Sequence, residues 1–343
     1  MEKALIAMSG GVDSSAAALL MKGRGYACAG ATLLLLPGRG EDARDARAVC
    51  ARLDMPHHEI DLRRAFAQKV TGPFAEAYRR GETPNPCVAC NRSVKFGLLP
   101  DWAVSSGFSV LATGHYARTE KAGGRVLLRK AADLSKDQSY VLWPLTQKQL
   151  EKVCFPLGEL TKPEVRALCA AHGLENAQKK DSQDICFVPG RDYAEYIEQY
   201  IGEKLLPGPI LSNSGEVLGR HRGLARYTIG QRRGLGVPGG RRLYVAALDV
   251  GRNAVVLAEN AALFSKTLEA DHLNLIAARC LESPMRLSAK IRYRHKEQPA
   301  TVEQIHEGRI RVTFDEPQRA VTPGQSVVLY EGDAVVGGAV IVK

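Results

Sequence analysis

The chain has 343 residues, 45% apolar and 24% charged, enough for two or three domains and unlike a disordered or collagen-like polymer. Forty-seven basic residues against 37 acidic leave a net charge of +10, which leans toward a polyanionic partner and away from a halophilic, acid-rich surface. No apolar run approaches the roughly 18 residues of a membrane span, so no membrane partner is expected.

In chain order, Lys3–Met8 and Ala29–Leu35 read as buried strands and residues 13–23 and 41–53 as helices. His57–Leu62 reads as a strand, 63–80 as a helix, and Ser109–Thr113 as a strand running into Gly114-His115. This alternation predicts a parallel sheet with helices on both faces, and ligands beyond the carboxyl ends of its strands. After about residue 200, Pro207, Pro209, Gly215, Gly219 and Gly223 break the chain, and the short runs Leu243–Leu248 and Ala254–Ala258 follow. Further on, Ala289–Arg294, Ala300–Ile305, Arg309–Phe314, Ser326–Tyr330 and Ala334–Ile341 alternate as strands separated by turns. The expected fold is α/β plus all-β: a parallel-sheet nucleotide-binding domain over 1–200, a small β-rich domain over 201–268, and a β-barrel over 269–343.

Basic residues are unevenly placed. Between Val217 and Leu248 stand seven arginines (220, 222, 226, 232, 233, 241 and 242) and no acid. Arg286, Lys290, Arg292, Arg294 and Lys296 form a second acid-free run. One such run reads as a solvated face; two in different domains read better as a footprint for a phosphate backbone, with arginine's fork matched to phosphate.

The sharpest local signal is Ala7-Met8-Ser9-Gly10-Gly11-Val12-Asp13-Ser14-Ser15, between the first strand and the first helix. Adjacent glycines let backbone approach a phosphate closely, and amides at a helix start favour an anion. Ser9, Ser14 and Ser15 add hydroxyls, and Asp13 is a candidate Mg²⁺ ligand. The spacing is neither Gly-x₄-Gly-Lys-Ser/Thr nor Gly-x-Gly-x-x-Gly.

Eight cysteines stand at 28, 50, 87, 90, 154, 169, 186 and 280. The opening residues read as a strand rather than a secretory leader, so reduced thiols in the cytoplasm are expected. Cys28, Cys50, Cys154, Cys169 and Cys280 read as packing residues. Cys90 lies in Thr83-Pro-Asn-Pro-Cys87-Val-Ala-Cys90-Asn-Arg-Ser-Val-Lys-Phe96, and Cys186 in Asp181-Ser-Gln-Asp-Ile-Cys186-Phe. Pro84 and Pro86 predict a stiff turn leading to a helix near Asn91, with Cys90 at its start and biased toward thiolate by Arg92 and Lys95.

Ser9–Ser14 resembles the pyrophosphate loop of the ATP pyrophosphatases, which cleave ATP between its α and β phosphates and adenylate a substrate oxygen. The two cysteine segments, with Ala112–Tyr116, Ser135–Leu142, Tyr227–Gly236, Lys290–Arg294 and Thr322–Gln325, resemble the tRNA-specific 2-thiouridylase family in order and over nearly the whole chain. The resemblance implies an adenine nucleotide alpha hydrolase-like first domain that binds ATP and Mg²⁺. Ala7, Met8, Ser9, Gly10, Gly11, Val12, Asp13 and Ser14 would hold ATP, with Leu33 and Gly114 near the adenine or ribose. It implies adenylation of the C2 oxygen of the wobble uridine (U34), with Cys186 carrying a persulfide from an upstream sulfur carrier and Cys90 as nucleophile. Either Cys90 releases sulfide from the persulfide, leaving a transient Cys90–Cys186 disulfide, or the persulfide attacks the base directly. His115, Lys136, Asp137, Gln138, Arg292, Tyr293 and Gln325 match the family's tRNA contacts, and the tRNAs for Lys, Glu and Gln are the implied substrates.

The chain departs from many relatives at Cys87, where they carry Asp. Cys87, Cys90 and Cys186 are therefore an alternative ligand set for a [4Fe–4S] cluster or Zn²⁺. Two rival readings share the loop: an ATP pyrophosphatase that amidates a small metabolite, and a non-catalytic RNA-binding protein. Neither needs the Cys90 and Cys186 pair.

Overall fold

The run Lys3–Ala7 is apolar on both faces, with Ala4, Leu5 and Ile6 all fully buried, which suits the centre of a parallel sheet. In a computed structural model of the chain, every residue is described except Arg39, 180–184, 189–191, 238–241 and Lys343. The first seven strands are β1 (Lys3–Ala7), β2 (Ala27–Leu34), β3 (His57–Asp61), β4 (Val110–Thr113), β5 (Arg118–Ala122), β6 (Arg125–Arg129) and β7 (Val153–Cys154). Five form a wholly parallel sheet in the order β3-β2-β1-β4-β7. The order reverses between β1 and β4, and that crevice is where an open α/β sheet takes its ligand.

Helix α1 (Val12–Gly23) leaves the end of β1 and buries Met21 together with Ala16, Ala17 and Ala18, whose small side chains let it lie close to the sheet. Helix α2 (Gly40–Arg52) follows β2. The helix expected over 63–80 is broken: Arg63–Phe66 and Gly72–Arg79 are joined by a wider π turn, Ala67–Thr71. Further on come α3 (Pro86–Cys90), α4 (Lys162–Ala171) and α5 (Tyr193–Ile201).

The middle of the chain makes a four-stranded sheet from β8 (Gly208–Ser212), β9 (Val217–His221), β10 (Leu243–Asp249) and β11 (Ala254–Glu259), ordered β10-β11-β8-β9. The last part supplies β12 (Phe264–Leu275), β13 (Met285–Lys290), β14 (Gln298–His306), β15 (Arg309–Arg319), β16 (Ser326–Glu331) and β17 (Ala334–Ile341). Pairing of β12 with β17 closes these six into a barrel. Its core is filled by residues such as Leu268, Val302, Val312, Phe314, Val327 and Leu329. The strand expected over Ala289–Arg294 lies earlier, at Met285–Lys290, so Arg292 and Tyr293 sit on the turn that follows it.

The barrel is not a separate appendage. The β5–β6 hairpin, contributed by the first domain, joins the barrel sheet through β6 against β17, with Arg129 opposite Ala334 and Leu128 opposite Val335. Trp143 donates from Nε1 to Ser326 Oγ at 2.9 Å, and Tyr140 donates its hydroxyl to the Ser326 carbonyl at 2.8 Å. Val328, Tyr330 and Val335 of the barrel belong to the same buried cluster as Leu5 and Leu111 of the parallel sheet. Among the described residues no helix is long and apolar enough to cross a membrane.

Candidate active site

The chain leaves β1 through Met8 and Ser9 and turns at Gly10, whose φ of +70° belongs to the left-handed region that glycine enters without a Cβ clash. A Cβ there would stand 2.7 Å from the Asp42 carbonyl oxygen. The loop ties itself to the helix start: Ser9 N donates to Ser14 Oγ at 3.2 Å, and Ser14 Oγ and Ser15 Oγ each donate to the Gly11 carbonyl at 3.0 Å. Gly114, at the end of β4, closes the crevice from the other side. A Cβ on it would lie 2.7 Å from the Asp13 carbonyl carbon and 2.8 Å from Ser14 N. The two segments singled out as nucleotide-binding, residues 7–14 and Gly114, therefore meet. Leu33 lies near the end of the neighbouring strand β2, half-buried against two apolar clusters.

Asp13 has partners whose role no motif announced. Lys162 Nζ donates to both its carboxylate oxygens, at 2.7 and 2.8 Å, and the Tyr116 hydroxyl donates to Oδ1 at 2.8 Å. Asn176 donates from Nδ2 to the Gly10 carbonyl at 3.2 Å and to Ser15 Oγ at 2.8 Å. The carboxylate expected to hold Mg²⁺ is paired here with the Lys162 ammonium.

The thiols are arranged differently from the expected helix start. Helix α3 begins at Pro86, capped by Asn85, whose Oδ1 accepts from Cys87 N at 3.1 Å. Cys87, not Cys90, occupies the exposed first turn. Cys90 runs directly into a π turn over Asn91–Lys95, is only 7% exposed, and packs with Phe66, Val70, Phe74 and Phe187. Burial pushes its thiol up to about 11, and the charges of Cys186 and Cys87 act in the same direction, while Lys95 opposes them. The expected thiolate at Cys90 is therefore corrected: desolvation outweighs the neighbouring cation. Cys186 is exposed beside Phe187, which packs edge-on against Phe66 and Phe74 at 5.8 and 5.1 Å. Both other thiols are close enough to Cys90 to act on it, yet no group of three potential ligands among the described residues converges as a metal site. The donor set does not fit a cluster in this arrangement.

The seven residues matched to tRNA contacts divide into two groups. His115 and Asp137 are buried. The His115 ring lies against Phe96 and Phe155 with Nδ1 2.7 Å from Thr113 Oγ1, and burial, with Lys95 nearby, holds it well below the usual imidazole range and neutral. Asp137 accepts from Ala131 N, Ser139 N and Ser139 Oγ at 3.0, 3.2 and 2.7 Å. Gln138 Oε1 accepts from Tyr116 N at 2.9 Å. Arg292 is half-buried and joins two domains, donating from Nη2 to the Ile229 and Ala320 carbonyls and to Thr322 Oγ1 at 3.1, 3.0 and 2.6 Å. Gln325 donates to the Thr83 carbonyl at 2.7 Å, fastening the start of the cysteine segment to the barrel. These side chains are spent on internal contacts. Tyr293, 39% exposed, presents its ring, and Lys136 is half-buried. Of the basic run, Arg220, Arg222, Arg232, Arg233 and Arg242 are exposed without an ion pair among the described residues, whereas Arg226 pairs with Asp192 and Arg241 lies outside them.

A glycine-turned loop at the switch point of a parallel sheet, followed along the chain by two β modules, defines a nucleotide-using protein of the HUP-domain class. Residues 2–190 match the tRNA methyl transferase HUP domain, 194–259 the tRNA methyl transferase PRC-barrel domain, and 265–341 the aminomethyltransferase beta-barrel domain. A tRNA-specific 2-thiouridylase MnmA of Moorella thermoacetica is 48% identical over 98% of this chain and 98% of its own length. That of Acetivibrio thermocellus is 43% identical over 99% of each. The chain belongs to the tRNA-specific 2-thiouridylase (MnmA) family.

Proposed function

We propose that the chain catalyses ATP-dependent 2-thiolation of the wobble uridine of tRNA. The observation that supports this most is one of position. Lys95 acts on both Cys90 and His115, and His115 follows Gly114, which touches Asp13 and Ser14. Phe96, six residues beyond Cys90, packs against the His115 ring at 5.6 Å, which supports a reading in which the cysteine segment lies beside the loop. In this reading the uridine C2 oxygen attacks the α phosphate of ATP and expels pyrophosphate, turning an oxygen into a good leaving group. Sulfur comes from a Cys186 persulfide loaded by an upstream sulfur carrier. Either Cys90 attacks the inner sulfur and the freed sulfide displaces AMP, or the terminal sulfur displaces AMP and Cys90 then cleaves the adduct. Both routes leave 2-thiouridine and a Cys90–Cys186 disulfide that an external dithiol reduces. Mg²⁺ would accompany ATP as its usual counter-ion. The tRNAs for Lys, Glu and Gln are the substrates we favour, in the cytoplasm.

The test is to incubate the chain with ATP, a persulfide donor and unmodified tRNA, and analyse the nucleosides. ATP-dependent 2-thiouridine, lost in Cys90→Ser and Cys186→Ser, is the expected result. Product formed without ATP, or none in any tRNA, overturns the reading. Anaerobically purified protein that holds iron and sulfide, and thiolates only when it does, overturns the persulfide route in favour of the cluster.

A further inference from the structure

Cys87 is the third thiol of the site, and the sulfur chemistry above gives it nothing to do. It stands three residues before Cys90 on the same helix, as Cys87-Val88-Ala89-Cys90. Asn91 N donates to the Cys87 carbonyl, so the turn is α-helical, and that geometry sets residues three apart about 5 Å from Cα to Cα. A disulfide spans Cα separations of about 4.4–6.8 Å, so this pair can be joined with the backbone where it stands. The turn is clamped at both ends. Gln325 donates to the Thr83 carbonyl at 2.7 Å, Asn85 Oδ1 accepts from Cys87 N at 3.1 Å, and Asn91 Nδ2 donates to the Val141 carbonyl at 3.0 Å. The pair is also unequal: Cys87 is exposed, whereas Cys90 is 7% exposed among Phe66, Phe74 and Phe187. A spent Cys90–Cys186 disulfide therefore has one sulfur that is shielded from an external thiol but lies one helical turn from Cys87. It also ties up Cys186, which takes no new sulfur until it is released. Attack at the Cys90 sulfur expels Cys186, the exposed and so better solvated thiolate of the two.

We propose that Cys87 is the resolving thiol of this site: it attacks Cys90 in the spent disulfide, releases Cys186 for reloading, and leaves a Cys87–Cys90 bridge for the external dithiol to reduce. In the exchange the Cys87 thiol gives up its proton and its sulfur bonds to Cys90 Sγ. The electron pair of the broken Cys90–Cys186 bond leaves with Cys186, which takes up a proton, so no outside oxidant or reductant enters this step. The external dithiol then attacks the exposed Cys87 sulfur; it is oxidised to its own disulfide, and both thiols of the helix are restored. The inference rests on the thiolation reading above. It gives that reading's two external partners separate points of entry, the persulfide donor at Cys186 and the reductant at Cys87.

Peptide mass mapping after a single turnover tests it. The persulfide-loaded full chain is given ATP and unmodified tRNA without reductant until product formation stops, then quenched with iodoacetamide. In the unmodified chain, Cys87–Cys90 bridges are expected to outnumber Cys90–Cys186 bridges by about tenfold or more, with Cys186 alkylated. In Cys87→Ser the Cys90–Cys186 bridge is expected to persist, and alkylation of Cys186 to fall by about tenfold or more. A second measurement needs neither ATP nor tRNA: limiting diamide, a thiol oxidant, is expected to give the same two bridges in the same two chains. Cys90–Cys186 as the main bridge in the unmodified chain overturns the proposal. So does equal alkylation of Cys186 in both chains, the lack of any bridge among the three thiols, or iron held by all three in an active chain. If diamide joins Cys87 to Cys90 but no tRNA gains 2-thiouridine, it is the thiolation reading that fails. If 2-thiouridine forms and leaves Cys90–Cys186 in place, that reading stands and the role given to Cys87 falls.

Discussion

Cys90 keeps its proton at neutral pH because the apolar cluster around it disfavours the anion more than Lys95 favours it. Reactivity of a thiol follows its thiolate fraction and its exposure, and both are low here. Iodoacetamide at pH 7.5 should therefore label Cys186 and Cys87, both exposed, before Cys90, with the Cys90 rate lower by about tenfold or more. Peptide mass spectrometry over a time course reads the order, and early labelling of Cys90 would show that the resting site is open. The same burial sets a pH dependence of stability. Cys50, Cys90 and Cys169 are each raised to about 11 by desolvation, so the folded chain holds these protons more tightly than the unfolded one. Their contribution is intact below the ordinary thiol value near 9 and is lost as pH climbs from about 9 to about 11. Urea midpoints measured across that window should fall, and a Cys90→Ala chain should show a shallower drop. If the reaction uses a Cys90 thiolate, binding of substrate has to open the cluster or bring a base to it.

At the scale of elements, the crevice depends on two strand ends meeting without side chains between them. Gly114→Ala places a Cβ within 2.8 Å of backbone atoms of Asp13 and Ser14, which cannot swing aside as a flexible side chain would. The substitution is expected to cost about 1–3 kcal/mol in urea unfolding and to weaken ATP by more than about tenfold. A chain that tolerates it with unchanged ATP affinity would place the nucleotide elsewhere. The strand-loop-helix at residues 3–23 was legible in the sequence because apolar strand, paired glycines and small-residue helix sit next to one another. Tyr116 lay in the matched segment Ala112–Tyr116 with no role attached, and Lys162 and Asn176 were not legible at all. Those two are single residues with no spacing signal, brought to the loop by α4 and by the turn after it. The start of α3 was misjudged by five residues: two prolines looked like a barrier, yet Pro86 fits the first turn of a helix, where its missing N–H costs nothing.

For the whole molecule, the informative miss is the β5–β6 hairpin. Its strands, Arg-Thr-Glu-Lys-Ala and Arg-Val-Leu-Leu-Arg, are short and carry little alternation, and their outer partner β17 lies about 200 residues on, so neither pattern nor neighbourhood revealed them. The hairpin ties the barrel to the first domain, Arg292 ties it to the middle domain and Gln325 to the start of the cysteine segment, which explains why residues matched to tRNA contacts are occupied internally. The positive charge left for a polyanion then falls on exposed arginines of the middle domain that have no ion pair among the described residues, and on exposed Arg294. Each phosphate contact releases condensed counter-ions, so binding should weaken with salt in proportion to the number of contacts. Replacing Arg232 and Arg233 by Ala should lower tRNA affinity and flatten the slope of log K against log salt concentration by about 1.5–2, with ATP affinity unchanged. Filter binding between 50 and 300 mM KCl (Debye lengths from about 14 down to about 6 Å) measures it. An unchanged slope would move the tRNA track off this face, and replacing Arg294 would then be the next substitution to compare.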